Sequence, residues 1–117
     1  MLPFFIKACS IAISEYPMIN SLVDNGAIDK DGFVEQYVQK KDHNFAVAID
    51  SANGLTIPNI KRIQDKSILQ IDNDLKDLVH RSNNNQLGAS DFVDSTFTVS
   101  SVGNIGGRYF VPTILRP

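Results

Sequence analysis

Residues 95–107 read Ser-Thr-Phe-Thr-Val-Ser-Ser-Val-Gly-Asn-Ile-Gly-Gly, a strict two-residue alternation that runs straight into a glycine-rich turn. The pattern restricts this stretch to a half-buried strand that ends in a sharp bend. Phe97 and Val99 fall on one face, and Thr96, Thr98 and Ser100 on the other. Gly103, Gly106 and Gly107 then let the backbone turn, or approach a ligand, with no Cβ in the way. Ser100 therefore carries a hydroxyl placed where a strand ends.

Helical spacing occurs twice. Over Leu2–Glu15, the residues Leu2, Phe5, Ile6, Cys9 and Ile13 recur at helical intervals, and Tyr16-Pro17 ends the helix because the residue before a proline is pushed out of the helical region. Over residues 67–81, Ser67 and Gln70 stand in capping-box spacing ahead of an apolar stripe of Ile68, Ile71, Leu75, Leu78 and Val79. Asp72, Asp74, Lys76 and Asp77 on the other side read as solvated surface rather than as a catalytic carboxylate pair. Between the helices, residues 45–49 form a short apolar run expected to be a central strand. Residues 55–60 are a second extended segment, in which Pro58 cannot donate to a ladder and marks a sheet edge or a bend. Residues 82–88 read as a polar turn.

A chain of 117 residues with 43% hydrophobic content corresponds to about one ordinary globular unit. It can bury roughly two-thirds of its unfolded surface, and apolar patches left over would call for partners to cover them. A net charge of -2 with no compensating basic patch argues against a general nucleic-acid binder. Cys9 is the single cysteine, which excludes an internal disulfide and a zinc finger and leaves it a small buried hydrophobe on the first helix. The apolar opening is broken by Lys7 and Ser10. It is too short for a membrane span and lacks the basic leader and cleavage site of a signal peptide.

The strand and turn at 95–107 resemble the catalytic domain of the dihydrolipoyl acyltransferases of the 2-oxo acid dehydrogenase complexes, in which a Thr-Phe-Thr-hydrophobic-Ser segment precedes a similar glycine turn. Residues 100–107 are most similar to the branched-chain type. Further blocks agree in order: Leu2-Pro3-Phe4-Phe5-Ile6-Lys7-Ala8, residues 16–24, His43-Asn44-Phe45-Ala46-Val47-Ala48-Ile49-Asp50, residues 54–61, residues 86–92 and Tyr109-Phe110-Val111-Pro112-Thr113-Ile114. Residues 26–42 are longer and more polar than the family usually shows, which fits a surface loop or hairpin insertion. There are departures near the site. Asn53 stands where an arginine can occur, Asp94-Ser95 replaces a usual Gly-Gly, Arg108 replaces a small polar residue and Arg116 a proline. The family's His-x-x-x-Asp-Gly motif does not occur within residues 1–117, so the chain reads as the central part of a single catalytic domain.

The resemblance implies an α+β fold of the chloramphenicol-acetyltransferase-like class, a mixed sheet flanked by helices, present here as a partial domain. It also implies transfer of an acyl group from a dihydrolipoyl arm, carried on a separate lipoyl domain, to coenzyme A. Such a thioester exchange needs a base for the attacking thiol and a donor for the oxyanion. The resemblance gives the first role to the missing histidine and the second to Ser100, and it implies no metal. It places Asn53, Gly54, Leu55 and Ser101 along the channel for coenzyme A and the lipoyl arm. His80-Arg81 lacks a following Asp-Gly and precedes the Ser100 strand, so His80 is read as a cation favouring a helix C-terminus. His43 is read as structural or interfacial. The implied partners are a homotrimer assembling into a larger core, the lipoyl domain and the other dehydrogenase components, with no nucleic acid and no membrane. The implied compartment is the mitochondrial matrix, with bacterial cytoplasm as the alternative. The pyruvate or 2-oxoglutarate counterpart, and a non-catalytic core or binding subunit, stay open.

Overall fold

The computed structural model describes residues 1–23, 26, 28–34, 36–52, 54–101, 106 and 111. Two helices, α1 (Leu2–Glu15) and α2 (Ile68–Asn83), pack against each other and against short strands. The strands are β1 (Ser21–Val23), β2 (Tyr37–Gln39), β3 (Phe45–Val47), β4 (Ile49–Ser51), β5 (Gly54–Thr56), β6 (Asn59–Ile60) and β7 (Phe97–Val99). The central sheet has the order β6-β3-β7, with β6 antiparallel and β7 parallel to β3, and so is mixed. The pairs β1-β2 and β4-β5 are separate two-stranded ribbons.

Each residue of β3 is buried, as expected of a central strand with both faces covered. Phe45 and Val47 join Ile6 and Ile13 of α1, Ile49, Ile60, Ile63, and Ile71 and Leu78 of α2 in one core. The apolar run 45–49 breaks at Ala48, because Ile49 leaves the sheet to start the β4-β5 ribbon. The extended segment 55–60 likewise divides into β5 and β6 around Ile57 and the buried Pro58. Pro58 offers no N–H but its carbonyl accepts from Val47 N–H at 2.8 Å, and β6 lies at the sheet edge where a neighbouring proline is tolerated.

Both helices form where the spacing places them, with corrections to their buried faces. The α2 N-terminus carries the full capping box, since the Gln70 N–H donates to Ser67 Oγ at 3.2 Å and the Ser67 N–H to Gln70 Oε1 at 2.8 Å. Its stripe is narrower than expected, with Val79 exposed and Ile68 and Leu75 half-buried, and the helix runs on to Asn83 into the expected turn. In α1 the buried residues are Pro3, Ile6, Ser10 and Ile13, whereas Phe5 is 61% exposed and Cys9 only half-buried. The reason is polar: Ser10, 1% exposed, shares a 2.8 Å hydrogen bond with His43 Nδ1, so the inward face is centred on a serine and not on Phe5. Within the stretch expected as a loop or hairpin, β2 pairs antiparallel with β1, and Ile28 and Val34 form a further bridge. Asn20 fastens its base by donating to the Lys40 and Asp42 carbonyls at 2.9 and 3.0 Å.

His43 is 6% exposed and joins α1, β3 and the turn Ile63–Asp65. Its N–H donates to Gln64 Oε1 at 3.0 Å and its carbonyl accepts from Ile63 N–H at 2.9 Å. Burial holds its proton affinity below the ordinary value. The Asp42 carboxylate opposes this, the Lys7 ammonium reinforces it and Asp65 opposes it. The unfolded chain therefore takes up a proton at His43 at a higher pH than the folded chain does. The stabilising contribution of the neutral ring is complete above the unfolded value of 6.5 and is lost as pH falls from there through the lowered folded value. In urea denaturation, the midpoint is expected to fall between about pH 7.5 and about pH 5.5, and a His43→Gln variant should lose that part of the slope while being less stable at neutral pH. An unchanged slope in the variant would assign the pH dependence elsewhere.

Candidate active site

Strand β7 carries the alternation read from the sequence. Phe97 and Val99 pack against the core, with the Phe97 ring 5.0 Å from that of Phe45, while Thr98 and Ser100 are exposed. The register is Phe45↔Phe97, Ala46↔Thr98 and Val47↔Val99, and Ala48 N–H donates to the Val99 carbonyl at 3.2 Å. Ser100 is thus the first residue past the last paired one, on the solvent face of the sheet. Among the described residues none takes up its hydroxyl in a hydrogen bond, so the local backbone bond that often absorbs a strand-end serine is not made. Ser101 beside it is also exposed, and Gly106 further on takes a φ of 73° that suits glycine.

The β4-β5 ribbon rises from the same end of β3, because Ala48, which holds Val99, is followed directly by Ile49. Its turn sits between the paired Ser51 and Gly54, and Gly54 has a φ of 105°, open only to glycine without strain. Ser51 Oγ donates to the Gly54 carbonyl at 2.8 Å. The ribbon is fixed to the C-terminal end of α2 by a 2.7 Å bond between the Thr56 and Ser82 hydroxyls and by Ala52 N–H to Asn83 Oδ1 at 3.4 Å. Leu55 stays 67% exposed. The structure therefore brings Ser100, Ser101 and the root of the ribbon bearing Gly54 and Leu55 to one end of β3. Asn53 lies outside the described residues, as do Gly103, Gly107, Arg108 and Arg116.

Both histidines keep scaffold roles. His43 sits at the N-terminal end of β3, the end opposite Ser100, and His80 is exposed on the last turn of α2 beside Asn84. The α2 carboxylates are ion-paired on the surface, Asp72 with Lys76, Asp74 with Lys66 and Asp77 with Arg81. A cleft of about 680 Å³ also lies at the opposite end, lined by residues such as Leu22, Lys41, Asp42, Phe92 and Asp94. Its size alone does not make it the reaction site, and it lies at the end of β7 remote from Ser100. Among the described residues no group of three or more His, Cys, Asp or Glu side chains could hold a metal ion, and no helix is long and apolar enough to cross a membrane.

Two features that spacing did not single out hold the approach to β7. Asn44, 8% exposed, precedes β3 and bonds to the incoming chain at Asp94 and Thr96. Arg81 of α2 grips Asp91 through two parallel bonds of 2.8 and 2.9 Å and reaches Asp77 through Nε at 2.7 Å. The paired Asp91 carboxylate also accepts the Gly88 N–H at 2.8 Å, so the turn Ala89–Asp91 that leads toward β7 is tied to α2. Signals existed for both: an asparagine next to the first residue of an apolar strand, and an arginine ten residues before an aspartate in a Gly-Ala-Ser-Asp turn.

A family described as 2-oxoacid dehydrogenases acyltransferase (catalytic domain) matches residues 1–117. This chain belongs to that family. Over 116 residues it is 39% identical to the lipoamide acyltransferase component of branched-chain alpha-keto acid dehydrogenase complex, mitochondrial, of Caenorhabditis elegans, covering 99% of this chain and 24% of the relative. To its Bos taurus counterpart it is 36% identical, covering 99% of this chain and 23% of the relative. The dihydrolipoyllysine-residue acetyltransferase component of pyruvate dehydrogenase complex of Buchnera aphidicola is 35% identical over 117 residues, covering 100% of this chain and 27% of the relative. The chain thus spans about a quarter of the length of these curated relatives. Among solved structures, the dihydrolipoamide acetyltransferase of Azotobacter vinelandii superposes with a TM-score of 0.82 at 32% identity, covering 97% of this chain and 44% of that one. That structure concerns the role of a serine, a histidine and an asparagine in the catalytic mechanism. A structure described as a probable dihydrolipoamide acetyltransferase from Listeria monocytogenes gives a TM-score of 0.85 at 29% identity, with the same coverage of 97% and 44%. The mixed sheet flanked by helices is therefore the chloramphenicol-acetyltransferase-like fold expected of an acyltransferase of this family.

In this acyltransferase domain the pairing of Asp91 with Arg81 holds the carboxyl below its ordinary value of 3.8, the Arg81 hydrogen bonds being the main cause and the Gly88 N–H the next. Its contribution to stability is complete above that value and is lost as pH falls through the lowered one. Asp91→Asn is expected to cost roughly 1.5–3 kcal/mol and to speed amide exchange in the segment leading to β7. Unaltered exchange there would show that Arg81 does not hold this segment.

Proposed function

We propose that residues 1–117 are the central part of one catalytic domain, and that the complete protein transfers an acyl group from a dihydrolipoyl thioester to coenzyme A in a branched-chain 2-oxo acid dehydrogenase complex. The coenzyme A thiol, deprotonated by a base, attacks the thioester carbonyl carbon and forms a C–S bond. The carbonyl oxygen becomes an oxyanion. Collapse of the tetrahedral intermediate breaks the bond to the lipoyl sulfur, which leaves as a thiol on taking up the proton. Ser100 donates its hydroxyl proton to the oxyanion in a hydrogen bond, and the family's His-x-x-x-Asp-Gly histidine is the base. Gly54, Leu55 and Ser101, with Asn53, border the path of the two thiol-bearing arms. The reaction uses no metal. The partners are further copies of the chain in a homotrimer and larger core, the lipoyl domain and the remaining dehydrogenase components, and the compartment is the mitochondrial matrix.

The observation that carries this reading is the exposed, unengaged Ser100 hydroxyl at the C-terminal end of a parallel strand, beside the root of the β4-β5 ribbon. A donor held ready on a rigid element stabilises developing charge without having to reorganise. The branched-chain assignment is supported by the named relatives, since the animal branched-chain components are 36–39% identical to this chain. Ser100→Ala in the full-length protein is expected to lower kcat for acyl transfer between dihydrolipoamide and coenzyme A by about a hundred-fold or more, with KM for coenzyme A little changed. Unaltered turnover would defeat the assignment.

A further inference from the structure

Ahead of its ladder with β3, the chain entering β7 is fastened largely through one residue. The Asn44 carbonyl accepts from the Thr96 and Phe97 N–H groups at 2.8 and 3.2 Å, and the Asn44 N–H donates to Thr96 Oγ1 at 3.1 Å. Its side-chain amide spans two loops, with Nδ2 donating to the Asp94 carbonyl at 2.8 Å and Oδ1 accepting from the Arg62 N–H at 2.9 Å. Both of those partners are left-handed without being glycine, Arg62 at φ 54° and Asp94 at φ 60°. Such a residue is less stable than one in right-handed backbone, so something must hold it.

Asp94 marks where the clamp is needed, because the residues just before the strand, Asp94-Ser95, include no glycine. Glycine would take the left-handed turn unaided, whereas Asp94 takes it with its carbonyl bonded to Asn44. The strand that follows has only three residues and, among the described residues, pairs with β3 alone. At its far end the Val99 carbonyl accepts from the Ala48 N–H, just past the ladder, at 3.2 Å. A slip of one residue would turn the Ser100 side chain from the solvent face to the core face of Phe97 and Val99.

We infer that Asn44 is a positioning residue for acyl transfer: by fixing the register of β7 from the opposite end of β3, it sets where the Ser100 hydroxyl points. This rests on the reading of Ser100 as the oxyanion donor. Asn44 touches neither substrate nor reacting atoms and acts through Ser100, so its loss should be felt only while Ser100 has a hydroxyl to place.

A double-mutant cycle in the full-length protein tests this, with Asn44→Ala, Ser100→Ala and the pair assayed for acyl transfer from an S-acyl dihydrolipoamide to coenzyme A. Asn44→Ala is expected to lower kcat about ten-fold or more while KM for coenzyme A stays within about two-fold, since small misplacement of a reacting group is costly. The pair should be no slower than Ser100→Ala alone. Multiplying losses in the pair, or an unimpaired Asn44→Ala beside a slow Ser100→Ala, overturns the inference while leaving the oxyanion reading intact. An unimpaired Ser100→Ala overturns both. Asn44→Asp keeps the shape and the acceptor for Arg62 but lacks the donor for Asp94, and it should show the same pattern should the alanine variant not fold. Amide exchange across 96–99 gives a reading independent of turnover: faster exchange in either Asn44 variant supports the clamp, and unchanged exchange overturns it.

Discussion

The parallel pairing of β7 with β3 is the constraint on which the candidate site depends. A parallel pair cannot be set by a tight turn, since the two strands are joined through the β4-β5 ribbon, β6 and the whole of α2. Register must come from contacts across the chain, and two stand out. Phe45 against Phe97 aligns the apolar faces, and Asn44 fastens the incoming chain, through its side-chain amide at Asp94 and through its backbone carbonyl at Thr96 and Phe97. With register fixed, alternation alone decides that Ser100 faces outward.

The rest of the fold supports that pairing from behind. α1 and α2 supply Ile6, Ile13, Ile71 and Leu78 to the core that buries Phe45 and Val47, and the polar Ser10 to His43 bond locks α1 to the start of β3. α2 does further work at its C-terminal end, where Ser82 and Asn83 hold the β4-β5 ribbon and Arg81 holds the turn before β7. One helix thus holds both the ribbon beside the Ser100 end and the turn that leads into the other end of β7. The surface left over is apolar in places, with Phe4, Phe5, Ile11, Tyr16, Met18 and Ile19 each more than half exposed, which suits a domain that is built into a larger body.

Much of this was legible in residue order. Alternation at 96–100, the capping box at Ser67 and Gln70, the apolar run at 45–49 and the proline at 58 each acted through local rules, and the corresponding elements formed. What was not legible depended on contacts across the chain. Ser10 looked like an interruption of an apolar helix, because its partner His43 is 33 residues away, and Phe5 looked buried for want of that same information. Val79 fits the periodicity of α2 but lies on the margin of the packed face. Asn44 and Arg81 gave no periodic signal, since a hydrogen-bonding side chain needs a partner in space and not a spacing in sequence. Ser100 stands out as a candidate through its neighbours Thr96, Phe97, Thr98 and Val99, while its environment comes only from the fold.

The most direct measurement is a crystal structure of the complete protein with coenzyme A bound. The account requires the thiol sulfur to lie near Ser100 Oγ, within about 4 Å, with the pantetheine arm passing the β4-β5 ribbon. Coenzyme A seated instead in the cleft at the opposite ends of β3 and β7, with Ser100 remote from its thiol, would contradict it.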